Sequence, residues 1–146
     1  MPSSPADHHR VASARDAGLA AFAATTGALL MLGRTRGGSL FAFADVGRHV
    51  MREIHLPYWG EAVIGLGIHL GEMTLLGVAV TAVLTAWRAH ARWRSAAIVV
   101  LVWQLGALFT PFALVRADIT AGLSVRIQFG IAALLVAALA LGARKD

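Results

Sequence analysis

Cysteine is absent from the chain, which removes disulfides, thiolate metal centres and thiol redox chemistry together. Lysine occurs once, at Lys145, and charged side chains make up only 14% of the 146 residues. So little charge is atypical of a water-soluble domain. Proline is confined to positions 2, 5, 57 and 111, so long stretches are free to run as uninterrupted helix. No G-x-S-x-G, P-loop or H-E-x-x-H pattern occurs, and a hydrolase or a nucleotide-driven pump would lack its machinery.

What is present is apolar. Hydrophobic residues account for 58% of the chain and the mean hydropathy is +0.68. The net charge of +5 comes almost wholly from arginines at the ends of apolar runs, where they anchor helices and meet lipid headgroups. That placement argues against nucleic acid as a partner and for the lipid bilayer. Abundant alanine and arginine with scarce lysine point to a GC-rich bacterial source and hence to the inner membrane.

Four apolar runs, at about 17–33, 61–87, 95–115 and 121–143, each approach the roughly 20 residues that cross a hydrocarbon core. The expected fold class is therefore an all-α integral membrane protein. It is a four-transmembrane-helix bundle forming a single domain over 16–146, behind a flexible polar tail at 1–15. A cleaved leader is the less favoured reading of the first run, because the A-x-A-like Ala42-Phe43-Ala44 lies beyond Arg34 and Arg36.

The run Glu61–Trp87 is the longest, and it carries His69 and Glu72 near its middle. At 100° per residue, Glu61, Gly65, His69, Glu72 and Leu76 fall on one stripe, with Gly67 and Gly71 on the neighbouring face as a G-x-x-x-G notch for helix packing. This marks the helix as central, with Glu61, His69 and Glu72 turned toward the bundle interior. His69 and Glu72 are spaced i, i+3 and can share a proton or a charge. An ionisable residue inside a membrane is a candidate binding or proton-relay group. Thr25 and Thr26 on the first span and Gln104 on the third are the candidate hydrogen-bond partners of the pair.

Between the first two spans, Val46, Val50 and Ile54 recur at i, i+4 and i+8 among polar residues. This predicts a short amphipathic helix lying in the interface, ended by Pro57. Tyr58 and Trp59, with Trp87 and Trp93 at the other rim, are the interfacial anchors. Later in the chain, Pro111 is expected to kink or end the third helix, Asp118 to cap the fourth, and Arg126 to reach the interface. His49 and His55, at i, i+6, share no face suited to a metal, and no metal site or catalytic residue is assigned.

With four spans, an N-in, C-in arrangement puts Arg10, Arg15, Arg88, Arg92, Arg94, Arg144 and Lys145 inside. Arg34, Arg36, Arg48, Arg52, Arg116 and Arg126 are then outside, so the positive-inside count favours this orientation by one. The leading functional reading is a non-catalytic accessory or assembly subunit, packed against other membrane subunits or a second copy of itself. The first alternative is a proton- or small-solute-handling protein using His69 and Glu72. The second is a redox subunit binding haem or quinone near His69, although only one intramembrane histidine is on offer.

Overall fold

The computed structural model describes residues 5–35, 38–52, 54–86, 91–107 and 125–143. Its regular structure is helical: α1 (Pro5–Gly33), α2 (Phe41–Val50), α3 (Tyr58–Ala86), α4 (Arg92–Ala107) and α5 (Val125–Gly142). No strand occurs among the described residues. Two stretches, His8–Gly33 in α1 and Tyr58–Ala86 in α3, are long and apolar enough to cross a membrane, and Arg126–Gly142 is a shorter apolar helix. The expected ends of the third and fourth spans at 108–115 and 121–124, with Thr110, Pro111, Arg116 and Asp118, lie outside the described residues, as does Trp87.

The 29 residues of α3 run about 43 Å at 1.5 Å per residue. The helix starts directly after Pro57, whose carbonyl accepts the N–H of Glu61 at 3.1 Å. Two exposed threonines of α3 satisfy their hydroxyls locally. Thr74 donates to the Leu70 carbonyl at 2.8 Å and Thr85 to the Thr81 carbonyl at 2.9 Å.

The first helix begins well before the apolar run. The sequence reads 1–15 as a polar tail, whereas α1 is helical from Pro5 onward. Proline at a first helical position costs no hydrogen bond, and Ala12 and Ala14 are strong helix formers. α1 also has a surface to follow, because it packs along the length of α3. A Cβ on Gly77 would strike the Ala14 carbonyl and the backbone of Gly18, while Thr25 lies beside His69. Later residues of α1 thus meet earlier residues of α3, so the two helices run antiparallel.

One buried cluster joins four helices: Ala17 and Ala21 from α1, Met73, Leu76 and Val80 from α3, Val99 and Val100 from α4, and Leu135 and Leu139 from α5. Small residues allow the close approaches that bring these side chains together. Gly142 of α5, for example, sits against Asp16 and Ala17 of α1. A second cluster of Phe43, Ala44 and Ala62, lined by Leu29, Leu30 and Leu66, lies toward the other end.

α2 differs from expectation in both extent and contact face. It spans Phe41–Val50 and buries Ala42, Phe43, Ala44 and Gly47. Val50 and Ile54, assigned to the apolar face by their spacing, are about half exposed (48% and 57%). The reason is close backbone packing. A Cβ on Gly47 would strike the Glu61 carbonyl, and one on Gly65 would strike the Phe43 carbonyl. Two matched four-residue steps thus set α2 antiparallel against the first turns of α3. At the bend before it, Gly38 has φ +150°, a conformation that side-chain-bearing residues rarely adopt.

The glycine notch also needs correction. Gly67 and Gly71 lie on the exposed face of α3, and a Cβ on either meets nothing within 4 Å. Within this chain the close contacts of α3 run through Gly65 and Gly77 instead, because the buried stripe carrying Glu61 and His69 faces α1 and α2. Gly47→Leu and Gly65→Val are therefore expected to destabilise the detergent-solubilised protein in equilibrium unfolding by at least the 1–3 kcal/mol typical of overpacking. Gly67→Ala and Gly71→Ala are expected to stay within about 1 kcal/mol of the parent.

Candidate functional site

His69 is one of the polar side chains that α3 turns toward neighbouring helices. Its stripe turns inward: Glu61, Gly65 and Leu76 are buried, while His69 and Glu72 are half-buried. The imidazole Nε2 lies 2.9 Å from the hydroxyl oxygen of Thr25, which is 2% exposed. That hydroxyl donates its single hydrogen to the Ala21 carbonyl at 2.7 Å. The Thr25 oxygen is therefore left as acceptor, and Nε2–H is the donor. One hydrogen-bonded chain thus links α3 to the α1 backbone.

Two aromatic rings complete the enclosure. Phe22 of α1 and Phe43 of α2 each place a ring centroid 5.6 Å from that of His69, tilted by 41° and 53°. These are ordinary separations for tilted aromatic pairs. His69 is thus held by residues of two other helices.

Two turns nearer the start of α3, Glu61 is tied to α2. Arg48 Nη2 donates to Glu61 Oε2 at 2.9 Å and Arg48 Nε to Oε1 at 3.3 Å, a two-point grip on the carboxylate. The Glu61 side chain is only 10% exposed, whereas Arg48 remains 58% exposed. A carboxylate so buried requires a counter-charge. Asp45, one turn back on α2, lies 3.8 Å from Arg48 Nη1. The hydrogen bond and charge of Glu61 raise the pKa of Arg48 above its ordinary value against a small opposing effect of burial, and Asp45 and Tyr58 add to the rise. Arg48 also lies in the last turn of α2, where a cation complements the helix dipole.

Of the other residues singled out in the sequence, Gln104 is half-buried on α4 and Glu72 lies one turn beyond His69 on α3. Tyr58, Trp59 and Trp93 are exposed, at 46%, 68% and 51%. Thr26 does not share the role of Thr25, since its buried hydroxyl has no hydrogen-bond partner among the described residues. The arrangement bears on a redox role as well. Nε2, the nitrogen that would face an iron, already donates to Thr25, and aromatic rings flank the imidazole. Among the described residues no three His, Asp or Glu side chains gather as a metal site.

Arg48, Phe22, Phe43 and Gly47 have no site role in the sequence reading, and Gly65 has only a place on the stripe, although one signal was available. Gly65 sits inside the Glu61–His69 stripe itself, at i, i+4 from each, where a close-packed neighbour would meet both polar groups.

Two tests follow from this geometry. A double-mutant cycle of Thr25→Val and His69→Phe, read by equilibrium unfolding in mixed micelles, is expected to give a coupling of about 0.6–1.7 kcal/mol. A coupling of zero would remove the bond from the account. Arg48→Gln is expected to destabilise the protein by stranding the Glu61 carboxylate. Adding Glu61→Gln should restore most of the loss, since the neutral amide needs no counter-charge.

Compared with protein-family models, curated proteins and solved structures, the chain matches none.

Proposed function

We propose that the chain is a four-span protein of a bacterial inner membrane that serves as a non-catalytic accessory or assembly subunit. Its spans would be those the sequence marks at about 17–33, 61–87, 95–115 and 121–143. The observation that carries the reading is the use made of the polar groups on α3. His69 is bound to Thr25 and packed between Phe22 and Phe43, and Glu61 is gripped by Arg48. These groups act as ties between helices, a common use of polar side chains within a membrane.

Membrane residence is supported by the surfaces turned away from the core. Val63, Leu75 and Val78 of α3, Leu101, Val102 and Leu105 of α4, and Phe129 and Leu141 of α5 are all at least half exposed. A water-soluble monomer rarely exposes so many large apolar side chains on its helices. Acyl chains, or the helices of other subunits or of a second copy, would cover it. The orientation we favour is N-in, C-in.

The competing reading assigns His69 and Glu72 to a proton relay or solute site. It draws on Glu72, a half-buried carboxylate one turn from His69 near the middle of α3. Purified protein in liposomes carrying an internal pH-sensitive dye separates the two. The accessory reading expects proton flux equal to that of empty vesicles, and a native size in mildly solubilised membranes larger than one chain. A flux abolished by Glu72→Gln in a variant that remains folded would instead establish the relay.

A further inference from the structure

Exposed arginines lie at both ends of the bundle, Arg34 and Arg52 at the α2 end and Arg92 and Arg94 at the other. At the α2 end, Arg48 is neutralised by Glu61 and approached by Asp45. The opposite end is marked by the packing of Gly142 on Asp16 and Ala17, and of Gly77 on Ala14 and Gly18. α4 begins at that end, since α3 ends there at Ala86 and α4 starts at Arg92. The described carboxylate there is Asp16, and Arg15 holds it at 3.2 Å. Arg92 and Arg94, both exposed in the first turn of α4, form no ion pair among the described residues. That turn contains no acidic residue, so the arginines also sit against the positive end of the helix dipole.

The apolar residues that follow are in line with one of these arginines. Taking Arg94 as zero at 100° per residue, Ile98 falls at about +40°, Leu101 at about −20° and Leu105 at about +20°. All three are exposed, at 39%, 60% and 51%. From Arg94 to Leu105 the strip is about 16 Å long, close to the roughly 15 Å depth of one leaflet's hydrocarbon. Trp93, 51% exposed, stands beside its charged end, where an amphipathic ring belongs at headgroup depth.

We infer that Arg94 and the strip Ile98–Leu101–Leu105 form a binding surface for one anionic phospholipid. The Arg94 guanidinium takes the headgroup phosphate and the apolar strip takes an acyl chain. A cationic headgroup such as choline brings its own positive charge to the same place and is disfavoured. A free phosphate lacks the chain and gains only half of the surface. The inference rests on the membrane reading above.

The test begins by asking whether the full-length protein resists alkaline extraction from membranes. Release by alkali would overturn the membrane reading and the lipid site with it. For protein that resists extraction, thermal unfolding in neutral detergent is followed while phosphatidylglycerol, phosphatidylcholine or soluble glycerol phosphate is added. Phosphatidylglycerol is expected to raise Tm at concentrations where the other two do not. Arg94→Gln should weaken that response by about fivefold, the effect of one arginine near an anionic surface. Replacement by lysine should retain most of it. An equal response to phosphatidylcholine, an equal response to glycerol phosphate, or an undiminished response in the folded Gln variant would each overturn the lipid site while leaving the membrane reading standing.

Discussion

An imidazole and a carboxylate placed on a long apolar helix must find partners within the protein, because the surroundings of such a helix offer few. That requirement arranges the rest of this structure. His69 fixes α1 through Thr25, and Glu61 fixes α2 through Arg48. The glycines then make those bonds reachable. Gly65 brings the backbone of Phe43 against α3, and Gly47 receives the first turn of α3 beside Glu61, so close approach and polar pairing specify the same register. A shift of α2 by one residue would break the carboxylate grip and drive side chains into backbone together. α4 and α5 close the other side of the core without such ties, through Val99, Val100, Leu135 and Leu139.

Much of this was legible in the sequence because helix geometry is periodic. The stripe from Glu61 through His69 to Leu76 follows from 100° per residue, and it is the face that turns inward. Thr25 was also in view as a polar residue on the first apolar run, and it is the side chain that meets His69. The misreadings have a common origin. Gly67 and Gly71 match a packing motif by spacing, yet a spacing does not say which face of a helix meets a neighbour, and here that face is the polar stripe. Val46, Val50 and Ile54 likewise satisfy an amphipathic period, but α2 is positioned by Phe43 and Gly47. Pairing across helices, such as Arg48 with Glu61, depends on how α2 folds back against α3 and had no local signature.

At one end of the bundle Arg48 of α2 is engaged by carboxylates of the chain itself; at the other, Arg94 stands in line with exposed apolar residues of α4. Between them, α3 and α4 present apolar side chains outward, while α3 turns Glu61 and His69 inward beside a core of Met73, Leu76 and Val80. An exterior this apolar is unusual for a water-soluble helical bundle, and it links the fold to the proposed function. The polar side chains hold the helices together, while the apolar exterior is left for lipid or for partner helices.

The central claim is that the polar groups of α3 are ties, and it is tested most directly by the hydrogen on His69 Nε2. Nitrogen NMR of histidine-labelled protein in bilayers, with the His69 signals assigned by His69→Phe, reads that hydrogen. The account predicts a protonated Nε2 whose shift moves in Thr25→Val, where the acceptor is gone. An Nε2 without hydrogen, or one indifferent to Thr25→Val, would contradict it.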